Sequence, residues 1–310
     1  MEQHDSPRGD KRPTYAELLD GRAVGLYGRD EQIGALNLLT PDRTRAAAAL
    51  VHTGEVFSLN APISYPEPHP TGSRLPPTHV LIRGPIGQDD YLDGFYLQYG
   101  SQWDGFLHIP DRRYGCFYNG NTNESVGIEK WAERGIAGRG VLLDIARWRA
   151  ATGRPIDCQE RELVTVQDLE DCAAAQSVSV NEGTIVLIRF GWESAWNSLS
   201  WEERMRIRSN GFRSPGLEPS LKMVERLWDW GIAAIAGDNM ALEAYPIKYE
   251  DYFMHVDLLT RLGIPIGEFW HLDSLAEACA HRGRYEFLVT SAPMNIKGGV
   301  ASPANAIAIL

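Results

Sequence analysis

The sequence lacks the features that would place it in a membrane or outside the cell. It contains no run of eighteen apolar residues, so no helix is predicted to cross a bilayer. Residues 1–12 are polar and charged, without the apolar core of a signal peptide. The few cysteines have no CxxC or zinc-ribbon spacing, so we expect unpaired thiols in a reducing cytoplasm. They are Cys116, Cys158, Cys172 and Cys279.

Positive charge is also scarce. The 30 Lys and Arg residues are outnumbered by 41 Asp and Glu residues, which gives a formal net charge of −11 at pH 7. A surface of this sign repels phosphate groups, so neither a nucleic acid nor an anionic membrane is predicted as a partner. A small-molecule substrate, even an anionic one bound by a few local cations, is compatible with this charge.

The chain does contain enough apolar material for a large core. Of its 310 residues, 44% are hydrophobic and 23% are charged, which is typical of globular proteins. No break in composition marks a boundary between domains. We therefore predict a single α/β domain over residues 31–310, preceded by a partly flexible N-terminal arm over residues 1–30.

Hydrophobic runs and turn residues predict strands and helices in a mixed order. Strands are predicted at 56–59, 80–82, 91–99, 140–144, 184–190, 233–237 and 287–292. Helices are predicted at 14–19, 41–52, 128–134, 166–176, 219–230, 256–262 and 272–282. The stretch 62–78 contains six prolines and is predicted to be a loop, long enough for a lid or a subunit contact. Because strands and helices do not strictly alternate, a mixed sheet is favoured over a doubly wound parallel sheet.

The densest group of chemically active side chains lies in one short segment. Two amides, a carboxylate and an imidazole follow one another at even spacings, at Gln98, Gln102, Asp104 and His108. An extended segment would present all four on one face. Such groups in line can bind a metal, transfer protons or orient a substrate. Trp103 lies inside this motif, and a contact with substrate is predicted for it.

Two further segments carry candidate groups. His255 and Glu268 are joined by a predicted helix and a Gly-Ile-Pro-Ile-Gly turn, which can return the glutamate toward the histidine. With the aspartate and histidine of the first motif they form a candidate ligand set for zinc, manganese or iron. The alternative is an ordinary hydrogen-bonded pair. Asp238 and Asn239 follow a predicted buried strand, where they could bind substrate or cap a helix.

Eight short segments carry a resemblance to a known family. They are QIGALN (32–37), SQWDGFLH (101–108), WAERGI (131–136), GRGVLLD (138–144), IRFGW (188–192), AGDN (236–239), GE (267–268) and SAPMN (291–295). In this order they resemble the cyclase family of hydrolases, which includes bacterial kynurenine formamidase and isatin hydrolase. The resemblance covers residues 30–310. It implies a mixed-sheet swivelling β/β/α domain and a homodimer or homotetramer with arms exchanged between subunits.

The family signature, His-x-Gly-Thr-His-x-Asp-x-Pro-x-His, is altered in this chain. The resemblance assigns its aspartate to Asp104 and its last histidine to His108, whereas its first two histidines correspond to Gln98 and Gln102. Its downstream histidine and glutamate correspond to His255 and Glu268. Glutamine is a much weaker zinc ligand than imidazole. Two possibilities for the metal content of the site therefore stay open. In the first, one divalent ion, manganese or zinc, is held by Asp104, His108, His255 and Glu268. In the second, the site is metal-free.

Three functions are compatible with these residues. The first is hydrolysis of a cyclic or acyl amide or ester of a small aromatic molecule by activated water. In that version Asp104, His108 and His255 carry out the acid–base chemistry, while Gln98 and Gln102 orient the carbonyl. The second is a metal-free cyclase, dehydratase or isomerase of secondary metabolism, and the third is a non-catalytic ligand-binding protein.

Overall fold

The computed structural model of the protein describes residues 12–247 and 252–310. These residues form a mixed α/β fold. Its strands are β1 (Val56–Ser58), β2 (Thr78–Arg83), β3 (Gln88–Asp93), β4 (Gln102–Asp104), β5 (Ile136–Asp144), β6 (Leu163–Val164), β7 (Ile185–Arg189), β8 (Gly216–Leu217), β9 (Ala234–Gly237), β10 (Ile266–Glu268), β11 (Glu286–Ser291), β12 (Ala301–Pro303) and β13 (Ala306–Ile309). Its helices are α1 (Pro41–Ala48), α2 (Glu129–Arg134), α3 (Ile145–Ala151), α4 (Val166–Ala175), α5 (Trp192–Ser198), α6 (Trp201–Asn210), α7 (Leu221–Asp229) and α8 (Asp273–Arg282).

Nine strands form one sheet in the order β1-β13-β11-β5-β7-β9-β10-β4-β12. The central strands β5, β7, β9 and β10 run parallel, whereas the strands on either side pair antiparallel. Parallel strands are covered on both faces, and β7 accordingly has the continuous apolar run Ile185, Val186, Leu187 and Ile188, all buried. The mixed sheet predicted from the sequence is confirmed.

The sheet curls so that its two margins approach each other. β12 is the last strand and β13 is the second strand from the opposite edge, yet only Ala304 and Asn305 separate them in the chain. A hydrogen-bonded side chain reinforces this closure. The Ser291 hydroxyl donates to the Ala304 carbonyl at 2.5 Å and accepts from the Trp103 indole at 2.9 Å. The curl therefore brings β4, which carries candidate site residues, into hydrogen-bonding contact with β11 on the opposite side of the sheet.

Amphipathic helices cover the sheet. α7 begins after Ser220, whose hydroxyl accepts a hydrogen bond from the backbone N–H of Met223 at 3.2 Å. Its residues Met223, Val224, Leu227 and Trp228 recur at helical spacing and are buried. α7 contacts α4, and α1 contacts β5. The predicted helices that correspond to α4, α7 and α8 are confirmed to within two residues at each end.

Several predicted elements differ in the structure. The helix predicted at 14–19 is two 3₁₀ turns, Tyr15–Glu17 and Leu19–Gly21, and the helix predicted at 41–52 ends at Ala48. The strand predicted at 91–99 is confirmed only over 91–93, because β3 ends at Asp93 and Gly94 has a φ of +64°. A positive φ interrupts an extended backbone, so β4 forms later as a separate strand. The helix predicted at 256–262 is a π-helical turn over Val256–Arg261.

Part of the predicted N-terminal arm packs against the remainder of the fold. Arg12 lies over the Trp228 ring at 4.4 Å, and buried Ala23 donates its backbone N–H to the Arg261 carbonyl at 2.8 Å. The rest of the predicted arm, residues 1–11, lies outside the described residues. Among the residues that the structure describes, no helix combines the length and hydrophobicity needed to cross a bilayer.

β2 and β3 form a separate two-stranded antiparallel hairpin. Every residue of β3 is exposed. The hairpin also presents apolar side chains to solvent, namely Leu81, Ile82, Ile86, Tyr91 and Leu92. A two-stranded hairpin is marginally stable in water by itself. It therefore gains stability when another surface covers these side chains.

Candidate metal and substrate site

The antiparallel pairing of β4 with β10 forms the base of the site. In this register Gln102 lies opposite Glu268, and Gln102 Nε2 donates a hydrogen bond to Glu268 Oε2 at 2.9 Å. Asp104 lies two residues further along β4 and projects on the same face as Gln102. All three side chains are buried. Two neighbouring strands thus each contribute a buried carboxylate to one place.

His255 approaches this place from the start of the π-helical turn. Its Nε2 lies 3.3 Å from Glu268 Oε1, and its Nδ1 lies 2.6 Å from Glu243 Oε1. Potential ligand atoms of Asp104, His255 and Glu268 all lie within 4.8 Å of one another. A single cation could therefore contact all three residues at once.

Gln98 and His108 reach the site from turns rather than from a strand. Gln98 Nε2 donates to Asp104 Oδ1 at 2.5 Å and lies 3.1 Å from His108 Nδ1. The His108 side chain is 23% exposed, and its Nε2 is 3.9 Å from Asp104 Oδ1. Among the described residues, His108 lies outside the three-residue ligand group. The predicted convergence is observed, although Gln98 and His108 lie on turns and not on one fully extended segment. The assignment of His108 as a metal ligand stays a prediction.

Glu243 is a site residue that sequence reasoning misses. Its buried carboxylate accepts hydrogen bonds from the backbone N–H groups of Met254 and His255, both at 3.1 Å, and also contacts the His255 ring. The chain reaches this position through Ala241 and Leu242, whose φ angles of +73° and +52° are left-handed. A carboxylate behind a histidine fixes the direction and tautomer of the ring in metal centres. The only sequence signal is its position in the polar segment after β9.

The charged side chains of the site shift one another's pKa values. Burial alone would lower the pKa of His255, but hydrogen bonds and charges from Glu243 and Glu268 raise it to about 10. Burial raises the pKa of Asp104. Burial also acts to raise the pKa of Glu268, but the hydrogen bond with His255 outweighs this effect and lowers it. The two carboxylates thus favour the protonated form of the His255 ring.

Comparison with known families identifies the group to which this site belongs. The family model named Cyclase matches residues 57–244, which is more than half of the chain. The chain belongs to the cyclase family. A crystal structure of a novel cyclase is 33% identical to this chain, with a TM-score of 0.82, and the similarity covers 93% of this chain and 99% of that chain. None of the curated proteins compared with this chain matches it significantly.

Isatin hydrolases share the fold of this family member. Isatin hydrolase A from Labrenzia aggregata, bound to benzyl benzoate, is 16% identical with a TM-score of 0.59, covering 82% of this chain and 93% of that chain. Isatin hydrolase A from Ralstonia solanacearum is 18% identical with a TM-score of 0.57, covering 82% and 91% of the two chains. At these identities the similarity shows the fold alone. The cyclase-type fold predicted from the sequence is confirmed.

The donor atoms of the site fit a divalent cation. Asp104 Oδ2 and Gln102 Oε1 are buried oxygens without a hydrogen-bond partner among the described residues. Buried polar atoms normally have partners, and a cation at the ligand group would give one to the Asp104 carboxylate. Carboxylate oxygens beside one imidazole suit manganese and zinc. Asp104, His255 and Glu268 would hold such an ion.

Three predicted substrate-binding residues make contacts within the fold. Trp103 is buried because alternation along β4 turns it to the opposite face, where its ring centroid lies 4.8 Å from that of Trp270. Asp238 accepts hydrogen bonds from two backbone N–H groups that follow β7, and burial raises its pKa to about 7. The Asn239 amide donates to backbone carbonyls of adjoining loops. Their roles as substrate contacts stay predictions.

Proposed function

We propose that this cyclase-family protein is a hydrolase that opens a cyclic or acyl amide or ester of a small molecule. The observation that carries this proposal is the convergence of Asp104, His255 and Glu268 within 4.8 Å, with Glu243 behind the histidine at 2.6 Å. The partly exposed His108 lies beside this group. Isatin hydrolases have the same fold, so isatin, a cyclic amide, is the first compound to assay.

The side chains have roles that their positions support. A divalent ion held by Asp104, His255 and Glu268 would polarise the substrate carbonyl and acidify a water molecule. Gln98 holds the His108 ring through the contact of 3.1 Å. His108 lies at the exposed side of the site, so it can exchange protons with solvent and carry a proton from the attacking water to the leaving group.

The two glutamines that replace histidines of the family signature favour one ion over two. Gln98 fixes the Asp104 carboxylate, and Gln102 fixes Glu268 while its Oε1 has no partner among the described residues. Both amides thereby orient ligands and can orient a substrate carbonyl. Two of the three ligand residues, Asp104 and Glu268, supply oxygen, and only His255 supplies a nitrogen. Manganese is therefore favoured over zinc.

Metal analysis of the purified protein and of Asp104→Asn tests this proposal. We expect about one manganese or zinc ion per wild-type chain, because one ligand group is present. Loss of a residue that only hydrogen-bonds to a metal ligand lowers metal affinity 10- to 100-fold. Asp104→Asn removes a ligand itself, so it should lower the affinity by more than this, and hydrolysis of isatin should stop. The matched control is Asp89→Asn on the exposed hairpin. Full turnover in Asp104→Asn would contradict the proposal.

A metal-free cyclase, dehydratase or isomerase is the second candidate. It is favoured by His255, because both ring nitrogens lie within hydrogen-bonding distance of protein carboxylates. In that version Asp104 and His108 form the acid–base pair. Substrate conversion by protein that has been stripped with a chelator and assayed metal-free would establish it. Activity that returns only with added Mn²⁺ would exclude it.

We propose further that the protein is a homodimer or homotetramer in the cytoplasm. The β2–β3 hairpin supports the oligomer, because its apolar side chains face solvent in the single chain and a second copy could cover them. The four cysteines support the location, because none is disulfide-bonded and free thiols suit a reducing compartment.

A further inference from the structure

The proline-rich loop after β1 carries a histidine to the edge of the site. His69 is 2% exposed, and its ring centroid lies 5.3 Å from that of Tyr99 and 6.2 Å from that of Phe269. Tyr99 directly follows Gln98, and Phe269 directly follows Glu268. The His69 ring therefore packs on the neighbours of two candidate site residues.

One nitrogen of this ring has no partner. Nδ1 lies 3.1 Å from the hydroxyl of Thr71, whereas the buried Nε2 makes no hydrogen bond with any described residue. Burial and the charge of Arg74 lower the pKa of His69 to about 4, so the ring is neutral at pH 7. If the Thr71 hydroxyl donates to Nδ1, Nε2 carries the proton and can donate. A buried polar group without a partner opposes folding, so we expect a water molecule or a bound ligand to satisfy it.

The loop around His69 is attached at both ends, so the unpaired nitrogen does not result from a loose segment. Before the histidine, the Tyr99 hydroxyl donates to the Pro66 carbonyl at 3.0 Å. After it, the Arg74 guanidinium donates to the Gln98 carbonyl. Both contacts join the loop to the segment that leads into β4. The position of the His69 ring is thus fixed relative to the site.

We propose that His69 contacts the substrate, with Nε2 donating a hydrogen bond to an oxygen of the bound acyl compound. The inference rests on the proposed hydrolase function and deepens it. Hydrolysis of an amide or ester leaves a carboxylate, and the charge of Arg74 acts on both His69 and Glu268. A neutral donor and a cation on one loop suit that product. His69 is not part of the described three-residue ligand group, so its role is separate from metal binding.

Three substitutions separate substrate contact from packing. His69→Asn keeps a polar group near the position of Nδ1, whereas His69→Gln can place its amide nitrogen near that of Nε2. His69→Phe keeps a ring between Tyr99 and Phe269 but removes both nitrogens. His52→Asn, at an exposed position, is the matched control.

The assays use Mn²⁺-loaded protein with isatin, formanilide and 4-nitrophenyl acetate. We expect His69→Asn and His69→Phe to lower kcat/KM about 100-fold, as for loss of a donor to a reacting oxygen. His69→Gln should recover part of this loss, and calorimetry should give an unchanged Kd for Mn²⁺ in all variants. His69→Phe should keep or raise the Tm, because the fold loses an unsatisfied polar group.

Wild-type kcat/KM in His69→Asn would overturn the proposal, and so would a Tm that falls by several degrees in His69→Phe. Either result would mean that His69 serves only to pack against Tyr99 and Phe269. If the wild-type protein binds Mn²⁺ but hydrolyses none of the three compounds, the hydrolase function fails separately. The Tm of His69→Phe then decides: an unchanged or higher value supports a ligand-binding role, and a lower value overturns it.

Discussion

Among the single residues, Glu243 gives a direct test of the candidate metal centre. Its carboxylate lies 2.6 Å from His255 Nδ1, which leaves Nε2 directed toward Glu268. In Glu243→Gln the ring loses the charge that keeps it basic and oriented. We therefore expect the affinity for Mn²⁺ to fall about 10- to 100-fold. Calorimetric titration with Mn²⁺ measures this change.

The matched control is Glu277→Gln, because the Glu277 side chain is 73% exposed on α8. Melting curves of both variants separate a loss of metal affinity from a loss of folded protein. If Glu243→Gln binds Mn²⁺ as tightly as the wild type, this carboxylate serves only the fold.

Individual site residues differ in how far the sequence could predict them. Asp104, His255 and Glu268 could be singled out because a family motif assigns them, and they lie together in the structure. Glu243 and His69 could not. Glu243 reaches the site through two consecutive left-handed residues, and His69 reaches it through the packing of a proline-rich loop. Neither feature produces a periodic pattern in the sequence.

Among the elements, the β2–β3 hairpin exposes several apolar side chains to solvent in the single chain. Ile86 at its turn is fully exposed, and Leu81 and Ile82 are about half exposed. If a second copy covers these side chains, Ile86→Asp should shift the protein from dimer or tetramer toward the 34.6 kDa monomer. The reason is that burying an unpaired charge opposes association. Light scattering coupled to gel filtration measures the mass.

Leu221→Asp is the control for this prediction, because Leu221 is 45% exposed at the start of α7 and lies outside both the hairpin and the predicted N-terminal arm. It should keep the wild-type mass. A wild-type protein that is monomeric at micromolar concentration would contradict the prediction, and so would an Ile86→Asp variant with an unchanged mass.

Long elements could be predicted from the sequence better than short ones, and the reason is physical. Strands such as β5 and β7 and helices such as α4 and α7 contain enough residues for hydrophobic periodicity to be visible. β4, β10 and β12 contain three residues each. Strands this short depend on hydrogen bonds from neighbours that are distant in sequence. Gln102, Asp104 and Glu268 all lie on such strands, so their geometry could not be derived locally.

At the scale of the whole molecule, the mixed sheet could be predicted and its curl could not. The order of strands and helices already excluded a strictly alternating parallel fold. The curl depends on the two-residue link between β12 and β13 and on the hydrogen bonds of Ser291, which join distant segments. The cyclase-type fold followed from the family resemblance, and the 33% identical cyclase structure confirms it.

The stability of the whole fold in acid depends on carboxylates buried beside arginines. Asp168 Oδ2 accepts a hydrogen bond from Arg149 at 2.6 Å. Burial alone would raise the pKa of Asp168, but hydrogen bonds from Arg149 and Thr165 lower it below its usual value. A carboxyl group with a lowered folded pKa stabilises the fold above its unfolded pKa of about 4. That stabilisation is lost as the pH falls through the folded pKa.

We therefore expect Asp168→Asn to lower the free energy of unfolding at pH 7 by about 3 kcal/mol, because it leaves Arg149 buried without its closest carboxylate. The difference from wild type should shrink from about pH 4 downward, since protonation removes the same charge from the wild-type protein. Urea titrations at a series of pH values measure this, with Asp89→Asn on the exposed hairpin as the control. A difference that stays constant over this range would mean that Asp168 acts through its hydrogen-bond geometry at the start of α4 and not through its charge.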